Sequence, residues 1–389
     1  MKICLITSVP LNPPWDQGDK NLAYTLTQAM GEHQFRVFTL GGARLPEGEN
    51  LNLLPLYKSR NPSIVQKARV YWYLLGHSSF NSKGMAQMAN GKPDLYHLIY
   101  RPTPMSSRLN RLLPEFRYRP TVHTVSSATA PGQLSPELFF ANRLVAISRY
   151  ALRALKKLGF ENVTYIPPGI DIESWADLAS QRNYFKSRLG LADKPVLLYP
   201  GHYAPGYGIN VIRNALPLIT AEIPDVQILF ACRLRSQKDR LSEQAFRQGI
   251  AQQGLERNVH YFNTVNDMRL LIGASDLTLL PLETMQDKVD IPITLLESLA
   301  AGVPVILSDL APMNELISPL TRQGETAGLT IPPGDAETLA QSVVNLLNDI
   351  QIRNRLAQNG QTLVRKEYNL QHTAAQYNRI YHELQGCLQ

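Results

Sequence analysis

Short apolar runs closed by Pro or Gly recur along this chain, and between them apolar residues fall at helical spacing. Ile3-Cys4-Leu5-Ile6-Thr7, closed by Pro10 and Pro13, reads as a strand buried on both faces, because a parallel sheet covered by helices leaves no polar face. Leu22, Leu26 and Met30 then share one side of a helix over 21–30, and the run 36–40 is ended by Gly41-Gly42. Strand, helix and strand at this pitch predict a βαβ unit. Further strands are expected at 95–100, 121–125, 144–147 and 163–166, with a helix over 150–158. Pro167-Pro168-Gly169 breaks the pattern, and 171–194 reads as a polar connector with one short helix. The pattern restarts with strands at 196–199, 226–230, 259–262, 277–280 and 305–307, and helices over 210–219, 241–253 and 266–272. From 336 onward the spacing is almost wholly helical. The expectation is α/β: two Rossmann-like, doubly wound domains in tandem that face a cleft, drawn at 1–175 and 176–370. Ligands of such sheets bind outside the carboxyl ends of the strands.

Composition narrows the picture. A chain of 389 residues suits two domains, and 44% hydrophobic residues support packed cores. No run approaches the ~20 apolar residues of a membrane span, and the N-terminus reads as a strand rather than a signal peptide. Cys4, Cys232 and Cys387 include no CxxC pair. A disulfide scaffold and a Cys-based zinc site are therefore not expected, and a reducing cytoplasm is. The net charge of +7 is unevenly spread: residues 1–190 carry 23 basic and 12 acidic side chains, the rest 16 and 20. That asymmetry leaves open an anionic partner for the first half, whether nucleic acid, an anionic membrane surface or a phosphorylated acceptor, beside a plain soluble surface.

The most informative stretch is 290–306, DIPITLLESLAAGVPVI. Pro292 suits the first turn of a helix, Gly302 its left-handed stop, and Pro304 with the following apolar run starts a strand. The helix N-terminus then favours an anion by up to ~2 kcal/mol. Glu297 lies within this apolar helix and needs a partner, either a neighbouring Lys or Arg or a bound hydroxyl pair. LLESLAAGVPVI resembles the second half of the Glu-x7-Glu signature of glycosyltransferase family 4, retaining transferases of the GT-B fold. The strand 144–148 ending in Ser148, the segment Ile166-Pro-Pro-Gly169-Ile-Asp171, the runs 314–317 and 327–335, and the closing residues Leu339-Ala340 and 354–357 are similar to family segments as well. The resemblance implies a last helix, 371–389, packed back on the N-terminal domain.

The sequence also departs from the family. Val289 stands where the first Glu belongs, flanked by Lys288 and Asp290, so Asp290 is the candidate to take that contact with the donor sugar. The usual Arg and Lys of the donor-diphosphate clamp are replaced around Gly201-His202 and Tyr207-Gly208. Two charge-assisted hydrogen bonds at about 1.5–3 kcal/mol each make this a loss of roughly 10²–10⁴ unless other cations compensate. Lys288, His202, Arg233 and Arg235 are the candidates. Gly18 and Asp19 stand for the family's Gly-rich loop after the first strand, and Ser126 for its His near Val125; His123 reads as a strand residue.

The resemblance implies transfer of a sugar from a nucleoside-diphosphate sugar to a hydroxyl acceptor, with retention, in glycan, glycolipid or polysaccharide biosynthesis. Asp290, Lys288 and Ser126 are the catalytic candidates. Glu297, Ile291, Pro292, Ile293, Gly201, His202 and Arg233 would hold the donor, and Gly18 and Asp19 would form an acceptor or phosphate loop. The scheme needs no cofactor or metal, and no DxD-like pair is set for one. Basic and aromatic residues at 57–60 and 66–75, with Arg101, Arg108, Arg111, Arg117 and Arg119, suggest a peripheral site on an inner membrane face and a glycan or lipid-linked acceptor. No nucleic-acid-binding module is recognisable. A catalytically weak sugar-nucleotide-binding scaffold and a GT-B sugar-nucleotide epimerase remain as alternatives.

Overall fold

The computed structural model describes residues 1–7, 11, 18–39, 52–55, 93–112, 116, 118–128, 134–234, 236–263, 265, 267–286, 288–317 and 325–386. Its contacts divide the chain into two units. One comprises Met1–Gly169, Gln286–Ile291 and Leu370–Gln389; the other comprises Ile170–Met285 and Pro292–Asn369.

The first unit is built on β1 (Lys2–Thr7), α1 (Gly18–Ala29), β2 (Gln34–Thr39), β3 (Asn52–Pro55), β4 (Leu95–Ile99), α2 (Pro104–Arg111), β5 (Thr121–Val125), β6 (Arg143–Ala146), α3 (Arg149–Lys157) and β7 (Val163–Tyr165). Its seven strands are all parallel and run in the order β3-β2-β1-β4-β5-β6-β7. The strand order reverses between β1 and β4, which places a crevice outside their carboxyl ends. Strands β4 and β5 are buried at every residue, as a sheet covered on both faces requires.

The second unit contains α4 (Glu173–Ala176), α5 (Arg182–Arg188), β8 (Val196–Tyr199), α6 (Ile209–Glu222), β9 (Gln227–Ala231), α7 (Gln237–Gln252), β10 (Val259–Phe262), α8 (Arg269–Ala274), β11 (Leu277–Leu280), α9 (Ile293–Ala300), β12 (Val305–Ser308), β13 (Gly328–Ile331), α10 (Ala336–Asn348) and α11 (Ile350–Glu367). Its six parallel strands run β10-β9-β8-β11-β12-β13, with the reversal between β8 and β11. This boundary at 169/170 lies before the one drawn from sequence, and the loop 286–291 belongs to the first unit rather than the second. Strands β3 and β13 and helix α2 were not foreseen.

The last helix, α12 (Leu370–Gly386), belongs to the first unit. Ala374, Tyr377, Ile380 and Tyr381 join the buried cluster of Ile3, Leu5, Leu26 and Val37. A buried polar chain fixes its rotation. His97 on β4 bonds the Tyr381 hydroxyl at 2.7 Å and Thr124 Oγ1 at 2.8 Å, and Thr124 Oγ1 meets the Tyr377 hydroxyl at 2.9 Å. Burial pushes the His97 imidazole down to about 3, so it is neutral at physiological pH. Gly169 has no side chain because a Cβ there would sit 2.5 Å from the Leu370 Cα where this helix begins.

Candidate functional site

In the second unit the crevice at the β8/β11 reversal is bordered by the loop after β8. Tyr199 is fully buried, and its hydroxyl donates to the backbone carbonyls of His202 (2.9 Å) and Tyr207 (2.7 Å). That single phenol holds the loop shut on itself. Gly201 is obligatory beneath it, since a Cβ would fall 2.2 Å from the Tyr199 ring. Gly208 caps α6 in the left-handed region (φ 82°), and a Cβ there would lie 2.0 Å from the Pro281 carbonyl oxygen beyond β11. Both glycines are therefore places of close backbone approach. The His202 ring stands edge-on to Tyr207 at 4.6 Å. Arg233 lies just past β9, and Lys288 Nζ donates to the Gln286 carbonyl at 3.4 Å.

Helix α9 is the other border. Pro292 is its N-cap rather than its first helical residue, with φ −68° and ψ 118°, and no side chain caps the N-terminus. The Ile293 and Thr294 N–H groups point out of the helix with no intrahelical acceptor, while the Leu295 N–H bonds back to the Pro292 carbonyl at 3.1 Å. Ser298 braces the helix from below through Thr278 Oγ1 on β11 (2.9 Å). Gly302 (φ 67°) ends it as expected, with the Val303 N–H reaching the Ser298 carbonyl (2.9 Å) and the Gly302 N–H reaching that of Leu299 (3.1 Å), a Schellman stop.

Glu297, half-buried on this helix, has no hydrogen-bond donor and no cation on its carboxylate among the described residues. The alternative of a neighbouring Lys or Arg is thereby removed. Burial, and then the negative charge of Asp267, push its pKa from 4.5 to about 7. Asp267 is itself held by Arg269 through bonds of 2.8–3.1 Å. An open cavity of about 750 Å³ lies beside Asp267, lined by Phe185, Phe262, Val265 and Leu270 among others, and includes neither Glu297 nor the start of α9.

The first unit also holds Asp290. Its side chain is fully buried: Oδ1 accepts the Ala128 N–H (2.8 Å), Oδ2 accepts the Ser148 hydroxyl (2.6 Å), and its own N–H donates to the Ser126 carbonyl (2.9 Å). Asp290 is therefore an anchor for the loop 286–291. Ile291 beside it is buried too. Val289 fills the place of the signature's first Glu with packing: it contacts the first unit's core cluster, and a Cβ on Gly18 would lie 2.7 Å from its Cγ2. Gly18 opens α1 with Asp19 in the first turn, and the Asp19 carboxylate takes a hydrogen bond from Ser126. His123 is a buried strand residue stacked on Tyr100. Gln17, the stretches 57–60 and 66–75, Arg117, Arg235 and Cys387 lie outside the described residues.

Sequence reasoning missed the anchoring pair Ser148 and Asp290, although Ser148 ahead of α3 reads as an N-cap and does accept the Ala151 N–H at 2.9 Å. It also missed Asp267, whose place beside Glu297 is a matter of fold and has no local signal.

Residues 20–174 match a family model described as Glycosyltransferase Family 4, and residues 194–349 match one described as Glycosyl transferases group 1. Together these take in more than half of the chain. Over 240 residues, 61% of this chain and 58% of the relative, it is 30% identical to a phosphatidyl-myo-inositol mannosyltransferase of Mycobacterium leprae, so it spans less than two thirds of that relative's length. Among solved structures, sucrose-phosphate synthase from Thermosynechococcus elongatus matches with a TM-score of 0.77 at 18% identity over 100% of both chains. HepE from Anabaena, solved with UDP and glucose, matches with a TM-score of 0.74 at 18% identity, covering 97% of this chain and 98% of its own. At such identity the likeness is one of fold.

Proposed function

Because the chain belongs to glycosyltransferase family 4 and has the GT-B fold, we propose that it moves a sugar from a nucleoside-diphosphate sugar to a hydroxyl acceptor with retention. The observation that carries this reading is Glu297: a carboxylate with no partner among the described residues, on the helix whose uncapped N-terminus borders the second unit's crevice. Donor hydroxyls supply the hydrogen bonds that the protein withholds from it. The free Ile293 and Thr294 N–H groups and the positive helix end suit the diphosphate, whose negative charge grows as its bond to the anomeric carbon breaks. The acceptor oxygen forms the new bond to that carbon, and its proton passes to the departing phosphate oxygen. This scheme calls on no metal ion. HepE, crystallised with UDP, makes a uridine diphosphate sugar a reasonable first donor to try.

A thermal-shift panel of UDP-, GDP-, ADP- and TDP-sugars tests this. One of them, at about 100 times its Kd, is expected to stabilise the protein by about 2.7 kcal/mol and to be slowly hydrolysed to the nucleoside diphosphate. Binding without any release of nucleoside diphosphate favours the scaffold alternative instead, and no stabilisation by any of the four defeats both.

The acceptor belongs to the first unit, and we take it to be a glycan or lipid-linked alcohol met at an anionic membrane surface. Met105 (74% exposed), Leu112 (62%) and Tyr118 (74%) lie on and after α2, interleaved with Arg108, Arg111 and Arg119. Apolar tips among cations suit an interface, at about 1 kcal/mol per basic residue near an anionic leaflet. The M. leprae relative is named for transfer to a phosphatidyl-inositol. The protein is expected to sediment with phosphatidylserine-containing vesicles and to be released by salt. Equal partition to neutral vesicles contradicts this.

A further inference from the structure

The loop after β8 (200–208) and the loop after β11 (281–285) border the β8/β11 reversal of the second unit, and they are bridged to each other. The Gly206 N–H donates to Glu283 Oε2 at 3.2 Å, and the Glu283 N–H donates to the Gly206 carbonyl at 3.2 Å. Gly206 stands in the left-handed region (φ 81°), and a Cβ there would lie 3.1 Å from the Thr284 methyl group. The two halves of the bridge differ in freedom. The Gly206 backbone is set by the bonds of the Tyr199 hydroxyl to the His202 and Tyr207 carbonyls, by the close approach of Gly208 to the Pro281 carbonyl, and by the Glu283 N–H. The Glu283 carboxylate is carried on an exposed, flexible side chain. Among the described residues it takes this one hydrogen bond and meets no cation. Its negative charge therefore rests on a single backbone donor, and water solvates it as soon as it lets go.

We propose that Glu283 is a built-in competitor of the donor's diphosphate, a role that rests on the transferase reading of this crevice. A backbone N–H beside a left-handed glycine is the kind of donor that phosphate oxygens take. Here a carboxylate of the chain itself takes it. A phosphate oxygen that accepts the Gly206 N–H displaces Oε2, and the Glu283 side chain turns out to solvent. The loop keeps its shape, because Tyr199 holds it and the Glu283 N–H stays on the Gly206 carbonyl. With the usual Arg and Lys of this loop replaced, a nearby carboxylate weighs the more against an anionic ligand. A purely structural brace predicts the opposite sign, since removing it loosens the loop and weakens binding.

Calorimetric titration of the full chain with UDP, GDP, ADP and TDP, and with their nucleosides as controls without phosphate, tests the proposal. The nucleoside diphosphate that binds the native chain is expected to bind about fivefold tighter in Glu283→Gln and about tenfold tighter in Glu283→Ala. Gln loses the charge yet keeps an acceptor for the Gly206 N–H, so it gains less. Nucleoside affinity and the melting temperature of both variants are expected to match those of the native chain. Should Glu283→Ala fold poorly, Glu283→Gln decides. A diphosphate that binds only the variants supports the proposal too. Unchanged or weaker diphosphate binding in the variant that is read overturns it and leaves the transferase reading standing. A nucleoside that gains as much as its diphosphate also overturns it, because that reports access rather than competition between anions. Binding of no diphosphate to any of the chains defeats both the proposal and the transferase reading.

Discussion

Glu297→Gln is expected to make the protein more stable and less active at once. The native carboxylate is pushed from 4.5 to about 7 in the folded chain. A carboxylate raised in this way favours folding fully below pH 4.5, and that contribution is lost as pH rises through about 7. The loss amounts to about 3 kcal/mol, from 1.36 kcal/mol per unit. The Gln variant has no charge to desolvate, so it should gain up to about 3 kcal/mol over the native chain at pH 8 and nothing at pH 4. Its kcat/KM should fall about 10- to 100-fold, the loss of a charge-assisted bond to a donor hydroxyl. The native pH–rate profile should climb to a plateau above about 7, where the group is ionised to accept, and the variant profile should be flat through that range. Urea melts at both pH values and initial rates with the donor from the thermal-shift panel read all of this. A Gln variant that is less stable at pH 8, or as active as the native chain, shows that Glu297 has a protein partner and no ligand. An acidic group held against stability is what a binding site leaves behind when its ligand is absent.

Asp290→Ala should act in the opposite sense, on folding first. It strands the Ala128 N–H and the Ser148 hydroxyl in a fully buried place. Two orphaned donors at about 1–3 kcal/mol each predict a loss of about 3–5 kcal/mol, a large part of the 5–15 kcal/mol that typically holds a domain together. Asp290→Asn keeps one acceptor and should lose about 1–2 kcal/mol. Denaturant midpoints followed by a probe in the first unit measure both. If Asp290→Ala melts with the native chain yet abolishes transfer, the residue is a reacting group and the anchoring role is wrong.

Much of this architecture was legible in the order of residues. Runs such as 121–125 and 277–280 coincide with strands because a sheet covered by helices needs no polar alternation, and such runs stand out. Gly302 and Pro304 fixed the end of α9 for the same local reason. Strand β3, Asn-Leu-Leu-Pro, was missed because half of its residues are poor strand formers. Helix α2 was missed for its polarity, and its capping box pairs Thr103 with Ser106 in place of the Glu or Gln that marks such a box in a sequence. The site divides along the same line. Glu297 was visible as a charge in an apolar helix. The anchoring of Asp290 was not, since its partners lie 142 and 162 residues away and only tertiary structure brings them together. Asp267 is hidden likewise.

The helix Leu370–Gly386 carries the tyrosines that His97 and Thr124 require. Synthesis on the ribosome is vectorial, so the residues that complete the first unit's interior leave the exit tunnel only after the whole second unit has been made. The amino-terminal sheet must wait, half-finished, for the whole intervening unit to be translated, and nascent chains stalled before Leu370 should be held by chaperones or degraded.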